Sequence, residues 1–341
     1  MNIKHYTDHS GILRAARTFL CVLLCAALLT SCAGSMASDK DDLRVVMTVN
    51  GTDVPYEMYR YVVMNLKDGG VSSEDELREQ SVSTLKSFYA VFSLADDYGI
   101  DPDNDYISSL VDSAIENQID ELGGRKEYKK MLSDNHMNDS VFRLLTKQDM
   151  MRDEIMKEMI AVGDISKDED KLRAIIESDE FICIKQILIT DEETSSLADG
   201  TYIVNGTTHT YDGAKALAET AHDRAAAGED FDSLVAEYGQ SLYMFGNTDG
   251  YYLCRGMWDE VNEEAAFALD MGEVSDVVES DIGFSIFKRC EKREAFIDAH
   301  FEEICDNWYS ACYMNALQKR IAFSEAVTNE TFDSISAADM K

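Results

Sequence analysis

Proline is almost absent. Pro55 and Pro102 are the two prolines of the chain, which excludes proline-rich linkers and rigid polyproline spacers. Basic residues are scarce as well: Lys and Arg total 31 against 65 Asp and Glu, a formal net charge of −34. A field of that sign favours solubility and opposes binding to nucleic acid or anionic lipid headgroups, so no nucleic-acid partner is expected. Histidine is sparse too. Beyond residue 31 it is confined to His136, His209, His222 and His300, too widely spaced for a metal pattern. There is no CxxC, Walker, GxGxxG or GxSxG motif, and the acidic runs DKDD and SKDED lack EF-hand spacing. Neither a metal nor a cofactor is expected.

Long apolar runs are also missing, except for Phe19 to Leu29. That run is too short for a membrane-spanning helix. Lys4, Arg14 and Arg17 precede it and small residues come after it, so residues 1–31 read as a signal peptide. The ending Leu29-Thr30-Ser31-Cys32 resembles a bacterial lipobox, which implies cleavage before Cys32 and a lipid on its sulfur; ordinary secretion with cleavage near Ala33 or Ala37 is the alternative. Two acyl chains suffice for stable anchoring, and residues 32–42 then form a polar tether. Five cysteines lie beyond Cys32: Cys183, Cys254, Cys290, Cys305 and Cys312. An odd number argues against a full disulfide framework, and the five are expected to be small buried hydrophobes.

Beyond the tether the chain is helix-rich. Val45 to Val49 reads as a strand, Asn50-Gly51 as a tight turn and Pro55 as a helix start. Helices are expected over about 74–98, 107–119, 125–133, 139–161 and 167–178. In the fourth, Met151, Ile155 and Met159 share the core stripe, whereas Met150 and Met156 lie off it as candidate adaptable surface. The pattern changes near Asp179. FICIKQILIT reads as a buried strand, TYIVNGTTHTY as a hairpin, GYYLCR and GFSIFKRC as further strands, with helices between them. This mixed order fits a compact α+β domain over residues 178–292. A last helix carries the apolar stripe Phe301, Ile304, Cys305, Trp308, Cys312 and Ala316. One helix cannot bury such a stripe alone, and residues 293–325 are expected to dock on the helical region 43–177. The polar residues 326–341 are expected to fray.

The segments IKQILI, AKALAETAHDRAAAGEDFDSLVAEYG, GNTDGYYLCRG and NEEAAFALDMGEVSDVVESDIGFSIFKR occur in this order. Together they resemble a parvulin-type (PpiC-like) peptidyl-prolyl isomerase domain. With the lipobox, the VNGTDVPYEMY opening and the returning helix, the layout resembles PrsA-type foldase lipoproteins, and SurA-type periplasmic chaperones without the lipid. The resemblance implies an α+β chain: a helical N- and C-terminal chaperone domain with an inserted domain of a small antiparallel sheet flanked by helices. It implies a folding factor anchored outside the cytoplasm through Cys32, on a Gram-positive surface, whose partners are unfolded exported proteins. The competing reading is a docking or assembly lipoprotein that uses an inactive parvulin fold to bind one partner.

The resemblance also locates a site and shows where this chain departs from it. The family's strand histidines fall on Gln186 and Ser285, and its Cys or Asp position falls at best on Ser241. The methionine and phenylalanine of the proline pocket fall on Trp258 and Asn262, with Met257 or Val261 in their place if the register slips by one; Phe267 lies on an inward helix face. Gln186 and Ser285 could hydrogen-bond across neighbouring strands, but they lack the acid–base properties of imidazole.

Overall fold

The computed structural model describes residues 44–191, 209–244 and 247–340. The signal peptide, Cys32, the tether and the expected hairpin around Asn205-Gly206 lie outside these residues. The chain divides into two units, one of residues 1–164 and 316–341 and the other Ile165–Asn315.

In the first unit, strand β1 (Val45–Val49) pairs antiparallel with β2 (Thr52–Pro55). Asn50 and Gly51 both take positive φ, 51° and 81°. This is the backbone of a two-residue hairpin turn whose twist matches the strands. Pro55 closes β2 instead of opening the helix, and α1 (Tyr56–Asp68) begins one residue later. Four helices come next: α2 (Glu74–Asp97), α3 (Asp105–Glu121), α4 (Arg125–Asp134) and α5 (Asp139–Val162). Asn104 and Asn138 cap α3 and α5, their side chains accepting from the amides of Ile107 and Val141 at 2.9 Å. Each cap satisfies an amide that has no partner within its own helix. The core is built from Met47, Tyr59, Leu77, Leu85, Ile107, Ile115, Met151 and Ile155, all fully buried. Met151, Ile155 and Met159 face it, and Met150 and Met156 are half-buried.

Residues 326–340 do not fray. Strand β7 (Ala326–Thr328) joins the free side of β1, giving a sheet in the order β2-β1-β7. Helix α12 (Glu330–Ser334) then places the Phe332 ring 5.3 Å from Tyr59 and under the Arg78 guanidinium at 4.8 Å. Glu74 accepts from the amides of Ala337 and Ala338 at 3.1 and 2.7 Å, and Lys67 donates to the carbonyls of Ala338 and Met340. The polar character that suggested fraying is that of a short edge strand and a capped turn, which need few apolar residues.

The second unit is built on a four-stranded antiparallel sheet of order β4-β3-β6-β5. Its strands are β3 (Phe181–Ile189), β4 (Tyr251–Cys254), β5 (Val278–Ser280) and β6 (Gly283–Cys290). Helix α6 (Glu169–Glu177) precedes the sheet, α7 (Tyr211–Ala226) and α8 (Phe231–Tyr238) cover one face, and α9 (Glu260–Phe267) comes after β4. Alternation along β3 and β6 divides two cores. Ile187, Ile189, Phe284 and Ile286 pack against Ala214, Ala218, Ala221, Phe231 and Leu234. Ile182, Ile184 and Phe287 pack with Leu253 and Ala266 on the other face. Gly283, at φ 115°, joins β5 to β6; a Cβ there would stand 2.5 Å from the Ile189 carbonyl oxygen.

After α10 (Glu294–Ala299), the long helix α11 (Phe301–Ala322) crosses the division of the chain. Its contacts divide along its length. Trp308 lies 5.8 Å from the Phe181 ring and Asn315 donates to the Arg255 carbonyl, both within residues 178–292, whereas Phe301 lies under the Arg173 guanidinium of α6 and Arg320 donates to Asp97 and to the Ser93 carbonyl of α2, within the region 43–177 expected to receive the helix. No helix among the described residues is long and apolar enough to cross a membrane.

Candidate functional site

The site begins with strand register. Gln186 on β3 stands opposite Phe287 on β6, and Leu188 stands opposite Ser285. Opposed residues share a face, so Gln186 and Ser285 are diagonal neighbours on one side of the sheet. Gln186 Nε2 donates to Ser285 Oγ at 3.0 Å, and both side chains are buried. The bond spans 99 positions of sequence.

Aromatic rings extend this face. Trp258 lies 5.6 Å from Phe287 and 5.3 Å, edge-on, from Tyr251; Tyr243 lies 5.7 Å from the other side of Tyr251. The Tyr251 hydroxyl meets Ser241 Oγ at 2.9 Å, and burial pushes its pKa up, so it stays protonated. Tyr243 and Leu242 remain exposed at 45% each. The result is an aromatic ledge with a wet outer rim and a buried, uncharged polar pair in the sheet beneath.

The loop that presents Trp258 is held by a carboxylate. Glu263 Oε1 accepts from the amides of Gly256 and Trp258 at 2.7 and 2.8 Å. Burial raises the pKa of this acid, and the backbone amides oppose that shift. Met257 Sδ accepts from the Cys254 amide at 3.3 Å, closing the same turn. Asp259 caps α9, accepting from the Asn262 amide at 3.0 Å. Asn262 occupies the place the resemblance gives to a pocket phenylalanine. It is buried; its Nδ2 donates to Asp259 and to Ser280 Oγ at 2.6 and 3.0 Å, while its Oδ1 has no partner among the described residues.

The sequence-expected residues thus separate into groups. Gln186 and Ser285 are joined directly, Ser241 connects through Tyr251, and Met257 and Trp258 line the same face. Val261 is not brought to the ledge; at 54% exposure it lies on the outer side of α9. Phe267 sits under the Arg255 guanidinium at 4.4 Å. With Ile182, Leu269 and Arg289 it lines a groove of about 740 Å³ that neither Gln186 nor Ser285 borders. Two residues that sequence reasoning missed hold the site in shape. One is Glu263. The other is Gln240, whose side chain accepts from the Thr190 amide at 2.7 Å and whose own amide donates to the Leu188 carbonyl. The helix that carries NEEAAF was legible in the sequence, but the aim of Glu263 toward the preceding loop was not.

Residues 203–291 match the family model described as rotamase, PPIC-type PPIASE domain. The foldase protein PrsA of Bacillus subtilis is 32% identical over 113 residues, which cover 33% of this chain and 39% of that protein. The PrsA of a Geobacillus strain is 25% identical over 240 residues, 68% of this chain and 73% of that one. The solved structure of the PrsA peptidylprolyl isomerase from Bacillus anthracis has 18% sequence identity and a TM-score of 0.34, covering 70% of this chain and 95% of that one.

Proposed function

We propose that this chain, which carries a PPIC-type domain and has PrsA foldases among its relatives, is a membrane-anchored folding factor working outside the cytoplasm. In this reading Cys32 carries the lipid, the clients are exported chains that have not finished folding, and the PPIC-type domain acts chiefly by binding. The observation that carries the last point is the neutral Gln186–Ser285 pair beside the Trp258–Tyr251 ledge.

Prolyl isomerisation is a rotation about an amide, with an uncatalysed barrier of about 18–20 kcal/mol. A catalyst must bind the twisted amide better than either planar form. It does so through an apolar seat for the proline ring and groups whose hydrogen bonds track the rotation. Trp258 and Tyr243 offer flat apolar surface for a proline or aromatic side chain. Gln186 and Ser285, however, spend a hydrogen bond on each other inside the sheet, and neither titrates near neutral pH. Asn262 places a polar amide where an apolar wall would serve. The geometry supports recognition of an extended apolar segment more strongly than acceleration of its rotation.

Two assays test the reading. The protein lacking residues 1–32 is expected to suppress aggregation of a denatured client at stoichiometric ratios; no suppression at excess would remove the chaperone assignment. Refolding of a client limited by proline isomerisation, with times of about tens to hundreds of seconds, is expected to proceed close to its rate in buffer. A large, saturable acceleration would instead make the domain an isomerase with an unusual polar pair. One tight partner recovered in place of many weak clients would favour the docking lipoprotein.

A further inference from the structure

Strands β3 and β6 carry a second cross-strand pair on the opposite face. Cys183 stands directly opposite Cys290 in the register, and the two Sγ atoms are 3.2 Å apart. We propose that Cys183 and Cys290 are a redox-active dithiol that closes to a disulfide, covalently clasping the two strands on which Gln186 and Ser285 sit. This goes beyond the folding-factor reading and needs neither a client nor isomerase activity.

The geometry of the pair suits a bond. Directly opposed antiparallel residues have Cα atoms about 4.5–5.5 Å apart, inside the range of about 4.4–6.8 Å that a disulfide spans. From 3.2 Å, bond formation needs an approach of about 1 Å shared between two side chains. The surroundings leave little room for any other partner. Cys183 is buried, with Sγ 3.1 Å from the Asp249 carbonyl oxygen. A Cβ at the neighbouring Gly250 would come within 3.1 Å of that sulfur and 2.6 Å of the Ile184 carbonyl oxygen. Cys290, at the end of β6, is half-buried and within reach of a small reagent.

The charges nearby divide the labour. The Cys183 thiol lowers the pKa of Cys290 by hydrogen bonding; Lys185 and Lys288 lower it further, against burial and Asp232. Cys183 is pushed up by its hydrogen bond to Cys290 and by burial. Cys290, half-buried and reachable, is the attacking sulfur, and the buried Cys183 is the resolving thiol. The oxidant is a disulfide, either a small molecule or an exchanging protein. Cys290 gives its proton to solvent; its Sγ attacks one sulfur of RSSR, the S–S bond breaks, and one RS⁻ leaves and takes up a proton from solvent. Cys183 then attacks Cys290 Sγ in the mixed disulfide and expels the second RS⁻, which takes up the Cys183 proton. Two protein thiols are oxidised and one RSSR is reduced to two RSH. The other three thiols among the described residues suit this scheme poorly: burial raises Cys254, and it takes Cys305 and Cys312 to about 11.

The test uses the folded protein lacking residues 1–32, equilibrated with oxidised glutathione, then alkylated and digested without reductant. The expected product is one cross-linked peptide pair joining Cys183 to Cys290, reversed by dithiothreitol, with a melting temperature above that of the reduced protein. Before oxidation, iodoacetamide should label Cys290 at least about tenfold faster than Cys254. Cys183→Ser should trap glutathione on Cys290, and Cys290→Ser should leave Cys183 unmodified. Should either variant fail to fold, the wild-type peptide map decides alone. Absence of the cross-link in excess oxidised glutathione, its formation only after denaturation, or glutathione trapped first on Cys183 would overturn the proposal.

Discussion

Gln186 and Ser285 show how much a single diagonal contact can carry. Ser285→Ala removes the acceptor of a buried amide and is expected to cost about 1–3 kcal/mol. Gln186→Leu combined with Ser285→Ala should recover most of that loss, because no polar atom is then stranded; a denaturation cycle over the four proteins measures the coupling. Glu263 is the second residue whose role is conditional. Glu263→Ala frees two loop amides and is expected to cost about 2–3 kcal/mol, since hydrogen bonds to charged groups are the stronger kind. Trp258 emission, read in a Trp308→Phe background, should shift to the red, whereas Glu263→Gln should hold the loop. At this scale the sequence was legible in part. The cross-strand partnership of Gln186 and Ser285 was legible only through the resemblance to the parvulin family, since 99 positions separate them. Val261 was misplaced because one residue of register on a helix moves a side chain by about 100°. The Cys183–Cys290 pair was not visible, because the two are separated by 107 positions and no local pattern marks them.

Among the elements, the C-terminal tail is the least legible in sequence. Helices α2 to α5 announce themselves by apolar periodicity, with Asn caps on α3 and α5. Strand β7 has three residues, and none of them is buried. It exists because β1 has a free edge, not because of its own composition, so local periodicity could not find it. The segment beyond β7 is fastened by ionised groups, which makes the fastening sensitive to acid. The Ala338 and Ala337 amides and the Arg78 guanidinium hold Glu74 down at about 2, against an ordinary value of 4.5. A depressed carboxylate contributes its stabilisation in full above the ordinary value and loses it as pH falls through the lower one. Protection of the Ala337 and Ala338 amides, measured as exchange relative to the intrinsic rate at each pH, is therefore expected to hold above about pH 4.5 and to fall toward pH 2. Because Glu74 is partly exposed, the effect on global unfolding should be modest. Glu74→Gln should give low protection at every pH. Undiminished protection at pH 2 in the unmodified protein would count against this fastening.

At the scale of the whole chain, the two units differ in how their sequence is assembled. Ile165–Asn315 is one continuous stretch, whereas the other unit needs both ends of the chain. Ending the protein at Ser324 removes β7, α12 and the contacts to Glu74 and Lys67. The expected calorimetric result is loss or severe weakening of one transition and retention of the other, with the Gln186–Ser285 sheet still protected from exchange. Simultaneous loss of both would show that the units do not fold independently. Asn329 donates to the Val45 carbonyl across 284 positions. At about 5–20 residues per second of synthesis, that partner arrives on the order of tens of seconds after Val45 itself. Throughout that interval β1 has an unpaired edge on the newly emerged chain, open to any passing strand. A protein proposed to shelter unfinished chains thus begins life as one, and its own opening hairpin is the segment most in need of shelter.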